Sequence, residues 1–132
     1  MYGSEEFNVP FSLSLEITNK CILKCKHCYK EAGIDNESFV DKEKLITFLR
    51  KCVGKVYSVQ LTGGEAMLHP DFFEILAFCK KEFPLVSVST TGILINENNV
   101  ENFDGTRVYL SLYSFDRIKN ESYVGYDVLD KV

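Results

Sequence analysis

Apolar and polar residues alternate between positions 11 and 17, placing Phe11, Leu13, Leu15 and Ile17 on one face of a predicted strand. Residues 56–61 predict a second strand that stops abruptly at Thr62-Gly63-Gly64-Glu65. Residues 85–89 predict a third, ending near Gly92, and residues 107–113 a fourth. Between strands the period becomes helical. Asp41 is placed to cap a helix carrying Leu45, Phe48, Leu49, Cys52 and Val53. Lys44 stands where an acid would complete a capping box. Pro70 suits the first turn of a second helix bearing Phe72, Phe73, Ile75, Leu76 and Cys79, which Pro84 closes. Residues 96–102 predict a short polar helix. Residues 126–132 predict the start of another, with no capping signal at its end.

Strand–helix alternation of this kind calls for an α/β fold, a parallel sheet of about four strands with helices packed on it. Ligands of such sheets collect at the carboxyl ends of the strands. The cysteine-rich loop follows the first predicted strand, Gly63-Gly64-Glu65 the second and Thr90-Thr91-Gly92 the third. Ser111 lies near the end of the fourth. One sheet edge therefore carries every candidate functional group.

Composition narrows the class. The chain has 132 residues, 45% of them hydrophobic, enough for one domain, or part of one, with a buried core. No apolar run is long enough to cross a bilayer, so no membrane partner is expected. The start, Met1 to Glu6, is acidic and lacks the features of a signal peptide, which predicts a cytoplasmic location with reduced cysteines. The net charge is −4 and the lysines are scattered, apart from Lys24/Lys26 and Lys80-Lys81, so no basic footprint for nucleic acid is present.

Cys21, Cys25 and Cys28 put three thiols within eight positions. A structural zinc site usually takes four protein ligands, and disulfides take cysteines in pairs. A [4Fe–4S] cluster held by three thiolates leaves one iron open to a small molecule. Zinc stays as an alternative, although His27 is badly placed beside Cys28 and His69 adjoins Pro70. Lys24 and Lys26 read first as solvated charges and second as stabilisers of the thiolates. Cys52 and Cys79 fall on apolar helical stripes and read as packing residues. His69 reads as a surface or capping residue, and Phe72, Phe73, Tyr109 and Tyr113 fit packing as well as ligand stacking.

The Cys21-x3-Cys25-x2-Cys28 loop after an opening strand, with Gly63-Gly64-Glu65 after the second, resembles the radical S-adenosylmethionine (radical SAM) superfamily, from about Ser12 to the end of the chain. The resemblance implies a (βα) partial TIM-type barrel and an enzyme that uses a [4Fe–4S] cluster and SAM to make a 5′-deoxyadenosyl radical. Cys21, Cys25 and Cys28 match the cluster ligands. His27 matches the position whose backbone approaches the adenine, and Gly63, Gly64 and Glu65 match the motif that binds the SAM amino group. Ser111 matches a polar contact to SAM. Thr91-Gly92 stands where Asn-Gly is common. Cys-Lys-His-Cys-Tyr and Ser-Leu-Tyr-Ser also resemble the peptide-modifying, SPASM/twitch-associated branch.

The family core has six strand–helix units, and this sequence predicts about three and a half. A single truncated core domain over residues 1–132 is therefore expected, with an unpaired edge and an uncovered apolar face at the fourth strand. A second chain completing the barrel is the other arrangement considered. The expected partners are a peptide or small-molecule substrate and an external one-electron donor. A non-catalytic truncated domain that binds an iron–sulfur cluster or a partner, and a zinc module, are the alternative functions.

Overall fold

The computed structural model describes residues 10–30 and 32–131. The acidic start at residues 1–6 and the final Val132 lie outside the described residues. Four parallel strands, β1 (Ser12–Glu16), β2 (Ser58–Thr62), β3 (Leu85–Thr90) and β4 (Arg107–Leu110), form one sheet in the order β1-β2-β3-β4. Helix α1 (Lys42–Cys52) joins β1 to β2, and α2 (Phe72–Glu82) joins β2 to β3. A 3-10 turn at Val100–Phe103 precedes β4, and α3 (Arg117–Val124) follows it. The architecture is the α/β arrangement of parallel strands and flanking helices that the alternation predicts.

Only one face of the sheet is apolar. Val59, Leu61, Val86 and Val88 are at most 2% exposed and pack with Leu45, Leu49, Phe72, Ile75, Leu76 and Cys79 from α1 and α2. The alternate positions on the other face are polar, and one cross-strand row runs Ser14–Gln60–Ser87–Arg107. Parallel sheets are usually apolar on both faces, because helices cover both. Here the second face is a polar surface below the loops that carry the cysteines, with Gln60 Nε2 donating to Ser89 Oγ at 2.8 Å.

The caps follow the sequence. Asp41 Oδ1 accepts the Lys44 N–H at 2.8 Å, a cap worth about 1 kcal/mol. Phe48 and Phe73 lie on the outer shoulders of their helices and are partly exposed rather than core. The predicted helix at 96–102 is a turn followed by the 3-10 segment, since Asn96 and Asn99 turn their side chains onto local backbone groups. β4 is shorter than predicted. It ends at Leu110, with one further bond from Ser111 N–H to Thr90 O at 3.0 Å. Tyr109 and Leu110 are about half exposed on this edge strand.

The last helix lies earlier than predicted. Asp116 caps α3 by accepting the Lys119 N–H, and Gly125, at φ 84°, ends it in the left-handed conformation. Residues 126–128 are not helical, and only Leu129–Lys131 form a 3-10 turn. Among the described residues no helix is long and apolar enough to cross a membrane.

Candidate active site

Residues 19–30 leave β1 as a loop with little regular structure, and backbone hydrogen bonds from three directions fix its course. On one side, Gly64 N–H donates to Thr18 O and Glu65 N–H to Lys20 O, both at 2.8 Å. On another, Cys21 N–H donates to Gly33 O at 3.1 Å. On the third, Lys24 N–H reaches Val124 O at 3.1 Å and Lys26 N–H reaches Tyr123 O at 3.0 Å. The loop is thus held on the carbonyl end of α3. Val124 and Val128 bury themselves against Cys21 and Leu23 to form a second small core. The lysine side chains stay exposed, as read from the sequence, while their backbone amides hold the loop.

The two glycines of Gly63-Gly64 are there for contact with this loop. A Cβ on Gly63 would lie 2.5 Å from Thr18 O, and one on Gly64 would lie 2.5 Å from Lys20 O. Neither position has room for a side chain, whatever ligand is bound.

Cys21, Cys25 and Cys28 all line one cleft of about 210 Å³, with His27, Gly63, Gly64, Thr90, Thr91, Ser111 and Tyr113 among its walls. Leu23 N–H points at Cys21 Sγ, 3.4 Å away. Burial raises the Cys21 thiol pKa, and the Glu65 and Cys28 charges add to this. Burial and then Cys21 and Cys28 raise that of Cys25. Cys21 and Cys25, whose ionisation is opposed first by burial and then by neighbouring charge, suit a positively charged inorganic centre, which reverses the local field. Among the described residues no group of three or more His, Cys, Asp or Glu is gathered closely enough to hold a single metal ion. Three soft thiolate donors in one cleft fit the ligand set of an iron–sulfur cluster.

The remaining predicted residues separate into two groups. His27 lies at the cleft with its ring 4.5 Å from that of Tyr113, edge to face, and Ser111 also lines the cleft. Gly63 and Gly64 are also at the wall. Glu65 is not: its side chain is fully buried behind the wall, bonded to Thr90 and Thr91. His69 is buried rather than superficial. It accepts the Asp71 N–H at Nδ1 and contacts Val40 O through Nε2, a capping role at the entry to α2. Cys79 is buried as read, with its thiol pushed up to about 12 by burial, and Cys52 is half-buried.

Tyr113, read from the sequence as suited to packing or ligand stacking, belongs to the site, and Lys30, which was not singled out, joins it. Tyr113 faces the cleft, and burial followed by the three cysteines raises its phenol pKa. Lys30, two positions after Cys28, also lines the cleft. Its side chain is only 8% exposed and its ammonium lies 2.7 Å from Glu16 Oε1. Tyr29 hydroxyl donates to the same oxygen at 3.2 Å, so the end of the cysteine loop is pinned to the end of β1. The signal for Lys30 was its spacing from Cys28, which a lone lysine does not make distinctive.

The radical SAM superfamily model matches residues 15–130. The chain is 35% identical over 100 residues to the antilisterial bacteriocin subtilosin biosynthesis protein AlbA of Bacillus subtilis, covering 75% of this chain and 22% of AlbA. It is 30% identical over 125 residues to a probable GTP 3′,8-cyclase of Pyrococcus horikoshii, covering 92% of this chain and 40% of that protein. The structure of Streptococcus suis SuiB bound to its precursor peptide SuiA superposes with a TM-score of 0.81 at 24% identity. The match covers 95% of this chain and 29% of SuiB. SuiB has also been solved bound to S-adenosylmethionine. The chain therefore spans less than half the length of these relatives. Enzymes of the matched superfamily use a [4Fe–4S] cluster and SAM. This chain belongs to the radical SAM superfamily.

Proposed function

We propose that the cleft holds a [4Fe–4S] cluster on Cys21, Cys25 and Cys28 with SAM beside it, and that the enzyme acts on a peptide. The observation that carries the cofactor reading is the meeting of the three thiols with the Gly63-Gly64 turn in one cleft at the carboxyl ends of the strands. Held by Cys21, Cys25 and Cys28, the cluster with SAM beside it would supply one-electron reductive cleavage of SAM and, through it, radical hydrogen-atom abstraction.

The chain's own residues orient and shield. The Gly63-Gly64 turn and the Ser111 hydroxyl offer polar contacts in the cleft. The His27–Tyr113 pair offers an aromatic face in the same cleft. An external one-electron donor and whatever completes the barrel beyond β4 belong to the same proposal.

The peptide reading draws on the AlbA match, on the sporulation killing factor maturation protein SkfB of Bacillus subtilis at 32% identity, and on SuiB with its precursor peptide. A nucleotide substrate is the second reading, favoured by matches to several probable GTP 3′,8-cyclases. Reconstitution with iron and sulfide under anaerobic conditions tests the shared part. Cys25→Ala should lose the cluster, since two thiolates leave two irons without protein ligands. Wild-type iron and sulfide content in that variant would sink the assignment. Assay of 5′-deoxyadenosine with a precursor peptide and with GTP separates the two substrates.

A further inference from the structure

The sequence resemblance gives Glu65 the task of meeting the SAM ammonium, but the geometry gives its carboxylate other work. Glu65 Oε1 accepts from Thr90 Oγ1 at 2.9 Å and from Met67 N–H at 3.2 Å. Oε2 accepts from Thr91 N–H at 2.8 Å and from Thr91 Oγ1 at 2.7 Å. An ionised carboxylate has about four lone-pair sites, and all of them are taken. The side chain is 0% exposed. Swinging it toward the cleft would orphan four donors, in a region where Thr90 and Thr91 are themselves buried. Glu65 does not line the cleft, whereas Gly64, Thr90 and Thr91 do.

We propose that Glu65 is a positioning residue that locks the turn after β3 to the glycine turn after β2. The ammonium of the aminoacyl ligand then meets other acceptors. The buried carboxylate is the pin, and its two threonines are the parts it holds. Thr90 Oγ1 also accepts the Gly92 N–H at 3.1 Å, and Gly92, at φ 84°, makes the turn that a side chain would strain. The Met67 amide ties the 3-10 turn at Ala66–Leu68 to the same carboxylate. Two adjacent walls of the cleft therefore share one anchor. This inference rests on the reading of the cleft as the SAM site.

A double-mutant cycle on the reconstituted full chain tests it, with SAM affinity measured by anaerobic titration calorimetry and iron content measured alongside. Glu65→Gln and Thr91→Val should each weaken SAM binding by about tenfold, within the range for directly bonded pairs. Iron content should stay at the wild-type level in both. The double variant should lose no more than the worse single, because both changes release the same lock, and Thr91→Ser should restore binding. Loss in Glu65→Gln alone, losses that multiply in the double variant, or no loss in either would each overturn the proposal. Should Glu65→Gln fail to fold, Thr91→Val and Thr91→Ser carry the test, with wild-type affinity in Thr91→Val as the overturning result. A wild-type chain that assembles no cluster or binds no SAM defeats the cofactor reading itself, before any variant is made.

Discussion

The glycine turn makes a stability prediction that needs no cofactor. In Gly64→Ala the new Cβ would start 2.5 Å from Lys20 O, 2.9 Å from Asn19 O and 2.9 Å from Lys20 C, all backbone atoms. Reaching an ordinary contact of 3.4 Å requires the two segments to part by about 0.9 Å. That displacement stretches the bonds Gly64 N–H to Thr18 O and Glu65 N–H to Lys20 O from 2.8 Å to beyond hydrogen-bonding range. Two such bonds contribute about 1 kcal/mol each, and overpacking costs about 1–3 kcal/mol. Alanine returns about 0.4–1 kcal/mol by restricting the unfolded chain. The net loss is then about 2–5 kcal/mol.

Urea unfolding of the cluster-free chain, followed by far-ultraviolet circular dichroism, reads this loss directly. Gly33→Ala is the control, because a Cβ there meets nothing within 4 Å and the backbone is not left-handed. It should change stability by less than about 0.5 kcal/mol. Equal stability of Gly64→Ala and Gly33→Ala would refute the close-contact argument.

The other expectations use different probes. Glu16 has its carboxyl held below the usual carboxylate range, first by the Lys30 ammonium 2.7 Å away and also by the Tyr29 hydroxyl. A depressed carboxyl adds stability that is full above 4.5 and lost as pH falls through the lower folded value. Lys30→Met should therefore flatten the stability profile below pH 4.5, and an unchanged slope on the acid side of 4.5 would rule the pair out. Cys79, pushed up to about 12 and fully buried, should stay unalkylated by iodoacetamide at pH 8 in the folded protein, as read by mass spectrometry. Labelling of Cys79 without unfolding would show that α2 opens. Val124→Ala, at a residue 1% exposed, should weaken the α3–loop contact by about 2 kcal/mol and speed amide exchange at Lys24 and Lys26. Unchanged exchange there would remove α3 from the support of the cysteines.

The parts legible in the sequence are those whose signal is local. Alternation in residues 11–17 and 85–89 located β1 and β3, because a strand with one buried face writes a period of two. The cap at Asp41 and the stripe of Leu45 and Leu49 located α1 in the same way. The cysteines were legible because three thiols at this spacing have few structural uses. β4 was overread because residues 111–113 keep a strand-like composition while the chain turns away to reach α3.

What stayed hidden is long-range. Nothing local in Tyr123 or Val124 says that their carbonyls receive the amides of Lys24 and Lys26, about a hundred positions earlier. Yet that contact decides where the cysteine loop sits. The same holds for Glu65, whose motif predicts proximity to a ligand but not the direction of its carboxylate. The direction depends on Thr90 and Thr91, 25 and 26 positions later. A motif fixes which residues meet at a site. Which of them face the ligand and which hold the wall is set by the partners that tertiary packing brings, and four filled lone pairs place Glu65 with the wall.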